Sequence, residues 1–346
     1  MQLPTSQHSF VLHKQETTGN MIIDSHAHFV PPRLLDAIRD MNSQFPSIEL
    51  IKGGENSFGF SFAGHKSTRP VSKLLSDTDG RLDWMNTNGI DMQVIGGWLD
   101  MFGYEIPADE GQRWSKLINH HLKEFCAENP RFLPLASLPM QDGKAAAKVL
   151  DFAHSRGFRG AMIGTQPKGK GGTLDDPDLQ PFWESANRNG SILFIHPMFD
   201  SGDERMNDYG MNNAIGRITD TLIAISRVIY SGHVATYHNA KIIIGIGGAA
   251  LPFVIGRMMR NYELHKDRLA DPSEALSLLY YDTLVHDAPA LELLIRTVGV
   301  NRIMLGSDMP FPIGDPTPRN ILDQIGLTIA DRAKVETDVA KKLFGL

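Results

Sequence analysis

Two histidines one residue apart, His26 and His28, close an apolar run that begins at Met21-Ile22-Ile23 and gives way to Phe29-Val30-Pro31-Pro32. On an extended strand, residues i and i+2 point to the same face. If that strand ends at the rim of a barrel, both imidazoles converge on one point, as two ligands of a divalent metal do. Two further polar groups stand at comparable places. His196 closes Phe194-Ile195-His196-Pro197, and Asp308 follows Leu305-Gly306-Ser307. Taken singly, a strand-end histidine is a core residue and a strand-end aspartate is a turn cap. Together, three imidazoles and a carboxylate form a donor set suited to Zn²⁺, with Mn²⁺ or Fe²⁺ as alternatives. Asp282, in Tyr280-Tyr281-Asp282-Thr283, ends another apolar run, and the sequence assigns it no role.

The elements that must position these groups recur along the chain. Strands are predicted over 21–28, 92–96, 132–138, 160–164, 192–196, 241–246, 279–283 and 303–306. Several are continuous apolar runs, as in parallel strands covered on both faces. Helical patterns lie between them, over 78–88, 108–129, 144–155, 179–189, 214–230, 251–261, 289–298 and 331–344. Eight such units most simply close into an α/β fold of the TIM (β/α)8 barrel type, with its chemistry at the C-terminal strand ends. Residues 1–20 carry no periodicity and read as an N-terminal arm, so the barrel is expected over 21–346. A Gly/Ser/Phe-rich stretch at 42–72 reads as a small hairpin inserted after the first strand, over the barrel mouth.

Composition narrows the classes of function. The chain of 346 residues carries a formal charge of −6, and no basic stripe suggests a nucleic-acid or anionic-membrane partner. The single cysteine, Cys126, leaves no internal disulfide and suits a reducing compartment. It falls in an amphipathic pattern and reads as a core thiol. Residues 1–20 lack the apolar centre of a signal peptide, and no stretch reaches the ~20 apolar residues of a membrane span. The expectation is a cytoplasmic protein with a small-molecule substrate.

Asp24-Ser25-His26-Ala27-His28, Phe194-Ile195-His196-Pro197 and Leu305-Gly306-Ser307-Asp308-Met309-Pro310-Phe311-Pro312 resemble the amidohydrolase superfamily, in its aminocarboxymuconate-semialdehyde decarboxylase-like branch. Leu138-Pro139-Met140-Gln141 and Leu284-Val285-His286-Asp287 extend the likeness from Met21 to the C-terminus. The resemblance implies a barrel with one divalent metal, zinc first, held by His26, His28, His196 and Asp308. It implies non-oxidative decarboxylation or hydrolysis of a small carboxylated cyclic or unsaturated molecule. It also implies a homodimer in which Arg257, in Gly256-Arg257, reaches the partner's active-site mouth and pairs with a substrate carboxylate.

The chain departs from that branch at one central position. Before Gly247-Gly248 the family carries an acid/base histidine, and here the residue is Ile246. Loss of such a group costs typically 10²–10⁴-fold in rate. His233 and His238 precede the sixth strand and are expected at the other end of the barrel. Asp100, after the second strand, is the candidate replacement base, and Lys168 and Lys170, after the fourth, are candidates to attract an anion. Residues 56–68 lack the arginine with which the family decarboxylase binds a carboxylate. His120 and His121, adjacent on a helix, are expected to diverge. Three rival functions follow: a hydrolase or hydratase, a metal-binding but catalytically silent partner subunit, and a redox-repurposed centre.

Overall fold

A computed structural model describes residues 21–54, 57–199 and 201–346. The expected N-terminal arm lies outside the described residues. Eight parallel strands make the barrel: β1 (Ile23–His28), β4 (Met92–Gly96), β5 (Phe132–Pro134), β6 (Gly160–Gly164), β7 (Ile192–His196), β8 (Lys241–Ile244), β9 (Tyr280–Asp282) and β10 (Ile303–Met304). They form two sheets, ordered β1-β4-β5 and β10-β9-β8-β7-β6. Both seams are bridged. Ala136 pairs with Ala161 on one side and Ala27 with Met309 on the other, and Ser25 N–H donates to the Leu305 carbonyl at 2.8 Å. All residues of β1, β6 and β7 are buried, because helices cover the outside and packed side chains fill the inside.

Helix starts follow local chemistry. Asp77, Asp142 and Asp287 each accept a backbone N–H from the first turn of the helices Thr78–Thr87, Gly143–Ser155 and Ala288–Val298, satisfying donors the helix cannot. The insertion is the expected hairpin, with β2 (Ile48–Lys52) antiparallel to β3 (Phe58–Phe62) and Leu50 opposite Phe60. Its aromatic strand is buried throughout. Phe60 and Phe62 pack against Trp114, so the hairpin clamps onto the helix Ala108–Glu128.

Two expected helices, 214–230 and 331–344, contain wider turns. Asn212–Gly216 is a π turn leading into the helix Arg217–Tyr230. Lys334–Asp338 is another, between Ile329–Ala333 and Val339–Phe344. The second has a visible cause: Val335 turns its carbonyl out to accept the N–H of Leu305 at 2.9 Å, tying the helix to the end of β10.

The sixth strand also stops short of its expected end. Beyond Ile244, the residues Ile246, Gly247, Gly248, Ala249 and Ala250 all have φ between 50° and 77°. The sequence reads this stretch as strand up to 246, whereas the backbone has already turned left-handed. Glycine is required in the middle: a Cβ on Gly247 would lie 1.9 Å from Val285 Cγ1. A β-branched residue such as Ile246 is a costly occupant of that region, at ~1–2 kcal/mol.

Candidate metal centre

His26 and His28 end β1, His196 ends β7, and Asp308 follows β10 with φ 59°. The ligand atoms of these four residues lie within 4.8 Å of one another, and all four residues are buried. Asp308 Oδ1 stands 3.4 Å from His26 Nε2, 3.1 Å from His28 Nε2 and 3.8 Å from His196 Nε2. None of these four atoms has a hydrogen-bond partner among the described residues. Orphaned buried polar atoms are costly and rare, and four around one point make a group suited to a metal ion.

The other imidazole nitrogens are all engaged. His26 Nδ1 bonds Asp282 Oδ2 at 2.7 Å, His28 Nδ1 meets the Gly97 carbonyl at 3.1 Å, and His196 Nδ1 meets the Pro197 carbonyl at 2.9 Å. A ring that donates through Nδ1–H leaves the Nε2 lone pair for a metal, the tautomer such sites fix through outer hydrogen bonds. Burial pushes His196 down to about 4, keeping it neutral, and burial also lowers His28. For His26, burial acts downward but is outweighed by Asp308 and Asp282, so its pKa is raised. Asp308 is held well below the usual carboxylate range, because the three imidazoles outweigh its burial. The set is three imidazoles and one carboxylate, and it fits a divalent ion.

The cradle is braced from beneath. Asp282 Oδ1 accepts the N–H of Gly247 at 2.7 Å and of Leu284 at 3.2 Å, and its Oδ2 also takes the N–H of Ile246 at 3.2 Å. Asp282, left without a role by the sequence, therefore orients a ligand and ties down the left-handed turn. Asp24, fully buried, accepts from Gln93 Nε2 at 2.7 Å and from Ser307 Oγ and N–H at 2.5 and 3.0 Å. Arg81 reaches Gln93 Oε1 at 2.7 Å and the His28 carbonyl at 3.1 Å. This chain links β1, β4 and the Asp308 segment.

The remaining candidates are placed differently. Asp100 Oδ2 accepts from Arg69 Nε and Nη2, each at 3.3 Å, with its side chain only 3 % exposed. Burial raises its pKa and Arg69 and Arg217 draw it back; its carboxylate is committed to an arginine rather than left free as a base. The inserted segment does supply an arginine to the mouth: Arg69, one residue past the stretch that lacked one. Lys168 Nζ is occupied by Asp176 at 2.9 Å and Asp178 at 2.8 Å. It lines a separate cavity of about 880 Å³ with Glu105 and Lys144, to which no metal-cluster residue contributes. Arg257 is exposed on the helix Leu251–Leu264, one turn from the exposed Phe253. His120 and His121 do not diverge: their rings are 5.0 Å apart and both lean toward Glu124. Arg217, missed in the sequence, stands after the π turn with its Nε buried and unpartnered among the described residues.

Comparison with known proteins agrees with this geometry. The amidohydrolase family model matches residues 23–346. The chain is 32 % identical over 267 residues to 2-amino-3-carboxymuconate-6-semialdehyde decarboxylase of Dictyostelium discoideum, covering 75 % of this chain and 74 % of that one. It shares its fold with 5-carboxyvanillate decarboxylase of Sphingomonas paucimobilis (TM-score 0.77, 24 % identity, 95 % and 100 % covered). It does so also with 5-carboxyvanillate decarboxylase of Novosphingobium aromaticivorans, solved with manganese and 4-hydroxy-3-methoxy-5-nitrobenzoic acid (TM-score 0.75, 19 % identity, 95 % and 97 % covered). No helix among the described residues is long and apolar enough to cross a membrane. The chain belongs to the amidohydrolase family, in its aminocarboxymuconate-semialdehyde decarboxylase-like branch.

Proposed function

We propose that this protein is a metal-dependent, non-oxidative decarboxylase of a small carboxylated cyclic or unsaturated acid, with His26, His28, His196 and Asp308 as the metal ligands. One observation carries the reading: three Nε2 atoms and Asp308 Oδ1, all buried, face one point without partners. The decarboxylase relatives support the reaction class. An ion in this cradle, zinc or manganese, supplies Lewis-acid polarisation to an oxygen of the bound acid.

The chain's own residues do the rest. The three imidazoles are kept neutral or hydrogen-bonded and Asp308 is kept ionised, so the cluster is ready at neutral pH. The carbon that loses CO₂ takes up a proton in exchange. Asp308, ionised at rest, is the carboxylate of the cluster through which that proton passes to the carbon, while Asp100 meets the pocket through its pairing with Arg69. Ile246, half-buried and one residue from Gly245, whose Cβ would lie 3.3 Å from His26 Cε1, gives that side an apolar wall. Its residue type favours a second reading, a silent partner subunit that binds metal without turnover. A homodimer bringing Arg257 to the partner's mouth belongs to the first reading, and the exposed Phe253 at 82 % beside it supports that face as the contact.

The test is an assay of CO₂ release from a panel of carboxylated aromatics and pyridines by protein loaded with Zn²⁺ or Mn²⁺. Release of CO₂ from at least one acid is expected. Hydrolysis or hydration without CO₂ would replace the decarboxylase reading, and full metal occupancy with no turnover would favour the silent subunit.

A further inference from the structure

Next to the four-ligand cluster lies a group of charged and aromatic side chains that the metal does not explain. Arg69 Cζ sits 3.9 Å from the centroid of Phe199, and Arg217 Cζ lies 5.3 Å from the same centroid. Two guanidiniums thus share one aromatic platform, which attracts cations through its π face and leaves their edges to hydrogen-bond in the ring's surroundings. Among the described residues their charges are not equally compensated. Arg69 is paired with Asp100 through Nε and Nη2. Arg217 makes no ion pair among the described residues, and its Nε is buried with no hydrogen-bond partner among them. Phe199 follows the ligand His196 by three residues, and Asp100, the partner of Arg69, follows Gly97, whose carbonyl meets His28 Nδ1, by three, so the group stands at the same end of the barrel as the ligand cluster.

The backbone holds this arginine deliberately. The π turn Asn212–Gly216 precedes it, a geometry frequent at functional sites. Gly216 lies so close to the loop after β7 that a Cβ there would stand 2.1 Å from the Ser201 carbonyl oxygen. A desolvated guanidinium without a carboxylate is costly to keep, and a bound anion removes that cost.

We propose that Arg217, with Arg69 beside it on Phe199, forms an anion subsite, and that the acid bound here carries a carboxylate for Arg217 in addition to the group held at the ligand cluster. The occupant is therefore a diacid, or an acid with a second anionic oxygen. This rests on the proposed metal centre only for the first of the two groups. The subsite itself is made of Arg217, Arg69 and Phe199.

Benzene-1,3-dicarboxylate and benzoate serve as probes, with dissociation constants measured by calorimetry on metal-loaded protein whose metal content is determined on the same sample. Wild-type protein is expected to bind the dicarboxylate more tightly than benzoate. Arg217→Met is expected to weaken the dicarboxylate by ~10–100-fold, the loss of a charge-assisted hydrogen-bonded pair, and to leave benzoate within ~3-fold. Arg217→Lys should restore only part, because an ammonium lacks the planar fork. Asp100→Asn, which uncovers the charge of Arg69, should tighten the dicarboxylate and provides an independent check if Arg217→Met does not fold. Equal weakening of both probes, or no weakening, in Arg217→Met with metal retained overturns the subsite while CO₂ release keeps the decarboxylase reading. Loss of preference in Arg217→Met protein that never held metal upholds the subsite and removes the metal centre instead.

Discussion

Two adjoining stretches of the barrel mouth are built in opposite ways. Where β1, β7 and the Asp308 segment meet, four polar atoms are left without partners among the described residues while the second nitrogen of each of the three imidazoles is hydrogen-bonded. At the end of β8, the backbone takes the costly left-handed form over five residues, is tied down by Asp282, and presents isoleucine. The first stretch keeps its chemistry and has a single occupant in view. The second keeps the scaffold of a functional position without a polar side chain on it. Strain persists only when surrounding contacts over-determine it, and here Asp282 serves both stretches, so the turn survives because it also orients His26. On the proposed reading, the ligand cluster and the position before Gly247 can therefore be perturbed one at a time.

Ile246→His probes the second stretch and carries the largest expected change. Histidine accepts φ above zero more readily than isoleucine, so the melting temperature should hold or rise. Turnover of the native acid is expected to fall as an apolar wall becomes polar, with CO₂ release from other acids flat. A rise approaching ~10²-fold on any acid would mean that a latent proton-transfer position had been refilled. Asp282→Asn joins the two stretches: it weakens the orientation of His26 and should reduce metal affinity by ~10–100-fold in a competitive chelator titration. Unchanged affinity would show that the turn and the cradle are independent.

Arg257→Ala tests whether a residue from outside the mouth contributes. In a dimer it is expected to raise KM ~10-fold with kcat little changed, as for a lost charged hydrogen bond. A monomer by light scattering at micromolar concentration, or an unmoved KM, would remove it from the site. The smallest effect belongs to Cys126, buried with its thiol pushed up to about 12 by desolvation. Cys126→Ala should cost about 1 kcal/mol in denaturant unfolding and leave turnover unchanged, whereas inactivation would give the thiol a role.

Much of the cradle was legible in the sequence, because its ligands are chemically distinctive residues at the ends of apolar runs. His26, His28 and His196 close strands, and Asp308 follows one, that burial on both faces makes largely apolar. The eight strands were legible for the same reason. The anion subsite was not. Arg69 lies at the foot of the inserted hairpin and Arg217 after a π turn, and neither has a local pattern that says both will rest on Phe199. Lys168 misled because a lysine in a glycine-rich loop looks free, while Asp176 and Asp178, only eight and ten residues on, claim its ammonium. The left-handed turn after Ile244 was hidden too: periodicity reports burial, and Ile246 continues the apolar run although the strand has ended.

The central claim is that the four orphaned atoms are a metal cradle, and elemental analysis of purified wild type beside His26→Ala tests it most directly. The account predicts one divalent ion per wild-type chain and most of that ion lost from the variant, since three remaining ligands leave the site incomplete. Full occupancy in His26→Ala would contradict it.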